Sequence, residues 1–202
     1  MRIRAISLGL VLIVCITGIA VIFWRQELKY QLPTPVPTDY IPVKVSARVL
    51  LPDSFEKNNS YFLHFYNPDC PCSRFNARHL KSLIRSYKDS VRIVVVVSTE
   101  TDKPKAQKEL GQDLLIWVDG KGELAKSCGV YSTPQAAIID VNGNLFYRGN
   151  YNRSRYCTVR ASNFAELSLI ALLNNQPPPS FGLLSTQSYG CELSANADFE
   201  LF

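Results

Sequence analysis

Surplus charge is what this chain has least of. Its 22 Lys and Arg stand against 17 Asp and Glu, a net charge of +5 over 202 residues; setting aside Arg2 and Arg4 with an apolar leader leaves 20 against 17, or +3. So mild a surplus gives no electrostatic footprint for nucleic acid. Internal repeats are absent too, which excludes a repeat array. The length, with 47% hydrophobic and 19% charged residues, accommodates one globular domain and accessory segments but no second full domain. Cys15 follows Val14, where a lipoprotein signal needs a small residue, so it reads as an apolar passenger and not as a lipid attachment site.

The long apolar run is Ala5 to Trp24, free of charge and long enough to cross a hydrocarbon core of about 30 Å as a helix. Gly18-Ile19-Ala20 offers a small-residue cleavage site, yet the run continues through Val21, Ile22 and Phe23, which favours an uncleaved anchor over a cleaved signal. Arg2, Arg4 and the amino terminus outweigh Arg25 and Lys29, which Glu27 partly offsets. The positive-inside rule then puts the rest of the chain in the periplasm, after a single pass through a bacterial-type inner membrane. Residues 1–24 are read as the signal anchor, with membrane contact through that helix. Residues 25–42, with Pro33, Pro35, Pro37 and Pro42, are read as an extended polyproline-like linker.

Residues 43–175 carry the periodicities of a folded domain. Val43 to Leu50 alternates like a half-buried edge strand, ended by Pro52 and Asp53. Tyr61 to Tyr66 and Ile93 to Val97 are β-branched or aromatic runs suited to central parallel strands. Between them Phe75, Leu80, Leu83, Ile84 and Tyr87 recur at helical spacing, with Arg74, Arg78, Lys81, Arg85 and Lys88 on the solvated side. His79, in the same helix, reads as a surface residue. This strand, helix, strand unit implies a right-handed parallel crossover. Pro104 to Leu110 predicts a short helix, Leu114 to Val118 a strand, and Gly122 to Cys128 a helix ended by Gly129. Gln135 to Val141, the turn Asn142-Gly143 and Leu145 to Arg148 predict a hairpin, and Phe164 to Leu172 a closing helix. Beyond, residues 176–202 open on Pro177-Pro178-Pro179 and read as an irregular tail.

Cys70-Pro71-Cys72 falls where the first apolar strand gives way to the helix. A helix start offers unpaired N–H groups and the positive end of the macrodipole, which favour thiolate over thiol. Two thiols this close suit disulfide exchange or a shared soft metal ion such as Cu(I).

The order of elements, with a thiol pair after the first strand, resembles that of thioredoxin-like and redoxin-type proteins, especially their membrane-anchored extracytoplasmic members. The likeness runs over about Ser60 to Leu173. It is carried by His64-Phe-Tyr-Asn-Pro-Asp-Cys70, Trp117-Val-Asp-Gly-Lys-Gly-Glu-Leu-Ala125, Gly129-Val-Tyr-Ser-Thr-Pro134 and Ala137-Ile-Ile-Asp-Val-Asn-Gly-Asn144. It implies a thioredoxin-like three-layer α/β/α sandwich about a mixed central sheet. It also implies that Thr133 and Pro134 form a cis-proline loop beside Cys70 and Cys72, where an extended substrate segment would bind. Cys70 then becomes the nucleophile and Cys72 the resolving thiol. His64, six residues before Cys70, stands where thioredoxins keep a buried proton-relaying acid. The chain departs from the family in having one residue, not two, between the cysteines. The smaller ring of a Cys-x-Cys disulfide points to an oxidant or isomerase over a strong reductant. An alternative alignment matches Pro71-Cys72 to the family's Pro-Cys and leaves Asp69 at the nucleophile position.

The activity implied is thiol-disulfide exchange on protein disulfides, with a separate redox partner and no bound cofactor. Asn67-Pro68-Asp69-Cys70 lacks the threonine of the peroxiredoxin Thr-x-x-Cys arrangement. One alternative is a copper carrier resembling the thioredoxin-fold chaperones of cytochrome oxidase assembly, with Cu(I) on Cys70 and Cys72. Against it, that family's cysteine spacing is wider and Asn150 to Arg160 contains no histidine for its late loop. Another is a thioredoxin-fold binding module without catalysis. Of the remaining cysteines, Cys128 reads as a small buried apolar residue. Cys157 and Cys191 read as a bridge tying the tail to the domain in an oxidising space. Gly190-Cys191 is also similar to a Gly-Cys near the C-terminus of some redoxin-like chains, which implies a role for that residue.

Overall fold

Both faces of the first strand are apolar, and this sets the layout of the molecule. A computed structural model of the protein describes residues 2–28, 32–153 and 159–193. β1 (Tyr61–Phe65) is buried at every position. Tyr61, Leu63 and Phe65 enter one apolar layer, while Phe62 and the following Tyr66 enter the other. A strand apolar on both sides needs cover on both sides, and helices supply it.

On one side of β1 lie β2 (Arg92–Val97) and then β3 (Leu115–Val118), all parallel. β4 (Ser132–Thr133) stands apart from this sheet. β5 (Gln135–Ile139) and β6 (Leu145–Gly149) continue it on the other side of β1 as an antiparallel pair, so the order is β3-β2-β1-β5-β6. The helices are α1 (Arg2–Phe23), α2 (Pro71–Tyr87), α3 (Asp102–Leu110), α4 (Glu123–Cys128) and α5 (Phe164–Leu173). Leu80 and Leu83 of α2 and Ala165 and Leu169 of α5 pack on Phe62, Val95 and Ile138. Leu124 and Ala125 of α4 pack on Leu63, Phe65 and Ile139 across the sheet. The result is a thioredoxin-like α/β/α sandwich about a mixed sheet. Each fully buried Phe, Leu or Ile in it contributes about 1.5–3 kcal/mol relative to exposure.

α1 is apolar on every side: Ile6–Phe23 has a mean hydropathy of 2.8, and none of it is buried. At about 1.5 Å per residue its length matches a hydrocarbon core of about 30 Å.

Two sequence expectations change. Val43 to Leu50 is not a continuous strand, because Ser46 turns the chain at φ 69°. Hydrogen bonds from Ser46 N–H to Leu145 O and from Leu145 N–H to Ala47 O hold this turn against β6, and Val49 N–H then reaches Gly143 O. Only Val49 of the alternating valines is buried. Phe75, assigned to the apolar face of α2, is 46% exposed; the buried face runs through Cys72, Ser73, Asn76, Ala77, Leu80 and Leu83.

Candidate active site

The chain leaving β1 turns on Asn67. Asp69 N–H donates to Asn67 Oδ1 (2.9 Å) and Cys70 N–H to Asn67 O (3.1 Å), which delivers Cys70 to the N-cap of α2. Cys70 is extended (φ −83°, ψ 120°), and Pro71 suits the first helical position because no N–H is needed there. α3 braces this turn: Lys105 Nζ lies 2.9 Å from Asp69 Oδ2, and Tyr66 Oη donates to Glu109 Oε2 at 2.7 Å. Burial, and then the Glu109 carboxylate, hold the Tyr66 phenol far above its ordinary range.

Gln135 opens β5 directly across from Phe65, so Thr133 and Pro134 lie beside the Cys70 turn. The Thr133–Pro134 peptide is cis, and Thr133 O lies 3.7 Å from Cys70 Sγ.

Cys70 is bonded to Cys191 and not to Cys72, with 6.0 Å between the two Cα atoms. The helix explains the choice. Cys72 belongs to the first turn of α2 and to its buried face, where it is a fully buried thiol, whereas Cys70 stands outside the helix and meets the Thr133 loop. The expected Cys157–Cys191 bridge is likewise replaced, since Cys191 is taken by Cys70; Cys157 lies outside the described residues.

The tail that delivers Cys191 is described through Leu193, and there it holds regular elements that its sequence did not announce. It contains α6 (Leu183–Thr186) and β7 (Cys191–Glu192), and β7 pairs antiparallel with β4, Cys191 opposite Thr133 and Glu192 opposite Ser132. Thr133 therefore pairs with a strand beside Cys70, and that strand is the chain's own. Buried polar groups stitch it down. Asn150 Nδ2 donates to Leu184 O (2.9 Å) and Gln187 O (2.7 Å), Asn150 N–H to Ser185 O (2.7 Å), and Gln135 Nε2 to Ser188 Oγ (2.7 Å). From the other side the proline-rich linker reaches over: Thr34 N–H donates to Ser188 O (2.8 Å), and Pro33 bridges Tyr189. Leu193 anchors the end of the strand in the α4 layer. Gly190 adopts φ 115°, and a Cβ there would strike the Thr133 carbonyl. Gly149 meets Ser185 O in the same way. Gln135 and Asn150 escaped the sequence reading; their only signal was a polar residue at each end of the β5–β6 hairpin.

His64 lies on β1, fully buried, with Nδ1 2.6 Å from Tyr151 Oη and no hydrogen-bond partner at Nε2 among the described residues. Burial pushes its pKa down to about 3, so the ring is neutral near neutral pH. A base that weak does not take a thiol's proton there, so the setting does not support the relay role. His79 is not a surface residue: it is partly buried, its ring stands edge-on to Tyr151 at 6.0 Å, and burial lowers its pKa. Both histidines of the chain thus pack on one tyrosine. Cys128 is buried, and that burial, with Asp119 nearby, raises its thiol far above the ordinary range, a setting for an inert cysteine. Among the described residues no three His, Cys, Asp or Glu side chains gather to hold a metal. Cys70, weighed with Cys72 for Cu(I), has its sulfur engaged in the disulfide.

Solved structures share this architecture. An uncharacterized conserved protein from Geobacillus kaustophilus is 22% identical, with 80% of this chain and 97% of that one covered at a TM-score of 0.61. A hypothetical protein from Sinorhizobium meliloti 1021 is 18% identical, with 76% and 96% covered at a TM-score of 0.60. At these identities the likeness is one of fold. The pneumococcal exposed lipoprotein thioredoxin Etrx1 from Streptococcus pneumoniae strain TIGR4 overlaps more loosely, at 21% identity, 59% and 86% coverage and a TM-score of 0.44. No curated protein matches the chain. The profile of one family covers residues 43–193, which span the sandwich and the tail through β7, and the chain belongs to that family, described as Domain of unknown function (DUF6436).

Proposed function

We propose that the chain is a thiol-disulfide oxidoreductase, anchored by α1 and working outside the cytoplasm, whose exchanging pair is Cys70 and Cys191. The observation that carries this is a disulfide joining the cysteine at the start of α2 to a cysteine on a strand paired with Thr133. The oxidised pair takes two electrons and two protons from a partner dithiol, which leaves as a disulfide while Cys70 and Cys191 become thiols. In reverse, the reduced pair opens a protein disulfide. Protein thiols and disulfides are then the substrates, a second redox protein resets the pair, and the exchange draws on no bound cofactor. Cys191 takes the place that the family resemblance gave to Cys72 as the partner of Cys70. Anchoring is supported by the uncovered apolar surface of α1, and a disulfide at the reactive site suits an oxidising compartment.

The test uses the full-length protein in detergent, equilibrated across ratios of glutathione to glutathione disulfide, alkylated and mapped by mass spectrometry. The Cys70–Cys191 bridge is expected to open and close reversibly. Reduction of a protein disulfide is expected to fall at least about tenfold in Cys191→Ser, and far less in Cys72→Ser. A bridge that never opens, or exchange that survives Cys191→Ser, would overturn the assignment.

A further inference from the structure

Exchange at a disulfide is an in-line displacement, so the attacking, attacked and leaving sulfurs share one axis and access decides which sulfur is attacked. The two ends of this disulfide differ in access. Cys70 is 1% exposed, and an attacker in line with its sulfur would have to approach from the side away from Cys191. Cys191 is only partly buried and is followed by the exposed Glu192. The two ends also differ as leaving groups. Cys70 stands at the N-cap of a helix of 17 residues; no first-turn N–H bonds its sulfur in the disulfide, but the helix dipole favours the thiolate released there, and the better-stabilised thiolate leaves faster. Cys191 opens a strand and, among the described residues, caps no helix.

We infer that external thiols enter at Cys191 and that Cys70 is the leaving sulfur, the reverse of the order that the family resemblance implies. This rests on the Cys70–Cys191 pair being the exchanging one. A partner thiolate forms a bond to Cys191 Sγ as the Cys70–Cys191 bond breaks, and the electron pair passes to Cys70 at the start of α2. The partner's second thiolate then attacks the partner sulfur of the mixed disulfide. That closes the partner's own disulfide and releases Cys191 as a thiolate, which takes a proton from water. Because β7 already fills the edge of β4, the partner is a protein dithiol that reaches Cys191 without inserting a strand beside Thr133.

Oxidised full-length protein in detergent, mixed with glutathione and quenched at short times with acid and N-ethylmaleimide, tests this by peptide mapping. Glutathione is expected on Cys191 and maleimide on Cys70, in at least about tenfold excess over the reverse. Glutathione chiefly on Cys70, or shared equally, overturns the inference and leaves the exchanging pair intact. A bridge that glutathione does not open at all overturns the pair itself. A second measurement decides where adducts are too brief to map. Normalised to the thiolate fraction read from each variant's pH profile, the Cys191 of Cys70→Ala should take glutathione from glutathione disulfide about tenfold faster than the Cys70 of Cys191→Ala. Equal rates or the opposite order overturn the inference.

Discussion

Replacing Gly190 with alanine tests whether the tail depends on its close approach to β4. The added Cβ would land on the Thr133 carbonyl, with Pro134 Cδ 3.5 Å away, and the neighbour that must yield is backbone. The φ of 115° is a second obstacle, since holding a non-glycine residue in such a region costs about 1–3 kcal/mol. Relief requires β7 to lift from β4, which weakens the docking that holds Cys191 against Cys70. A loss of about 2 kcal/mol lowers the effective concentration of Cys191 at Cys70, and so the stability of the bridge, by about thirtyfold. The assay is the equilibrium constant of the Cys70–Cys191 bridge against glutathione, read by gel shift after alkylation. Gly182→Ala, on the same tail, is the control: it has φ −72° and nothing within 4 Å of an added Cβ. Its constant should stay within about twofold of the parent, because an unstrained surface change shifts stability by about 0.5 kcal/mol or less. A Gly190→Ala constant equally close to the parent's would refute the reasoning.

Two further outcomes concern stability. His64, pushed down to about 3 by burial, binds a proton less readily folded than unfolded. Its contribution is therefore whole above pH 6.5, its unfolded value, and is lost as pH falls toward 3, by up to about 1.4 kcal/mol per pH unit. Urea unfolding between pH 7 and pH 4 should show a slope that flattens in His64→Gln; an unchanged slope counts against the assignment. Asp119 accepts from the N–H groups of Leu124 (3.2 Å) and Ala125 (2.9 Å) at the start of α4, so Asp119→Ala should cost about 1–2 kcal/mol in the same assay. A loss below about 0.5 kcal/mol would mean that water replaces those bonds.

The sandwich was legible because its elements are local. β1, α2 and β2 announce themselves by period and composition within single windows, and Asn142-Gly143 marks the β5–β6 turn with Gly143 at φ 79°. The pairing of Cys70 was not legible, because 121 residues separate it from Cys191 and nothing local records that distance. β7 is two residues long, too short for any period, and is held by side chains of Gln135 and Asn150 that read in sequence as ordinary polar ends of strands. Val43 to Leu50 misled for the opposite reason: its alternation is real, but Ser46 breaks the ladder by taking a positive φ that the pattern does not encode. Cys-Pro-Cys marked the turn on which the bridged Cys70 stands, but gave no sign of its partner.

The bond between Thr34 and Ser188 fixes a working radius. Eleven peptide steps separate Phe23, the end of α1, from Thr34, and a fully extended chain spans at most about 3.6 Å per residue. With α1 in a bilayer, as proposed, the point where the linker grips the reactive tail can never stand more than about 40 Å from the helix end. The disulfide would then patrol a thin shell above the lipid, and a partner would have to come within that reach of the bilayer to exchange with it.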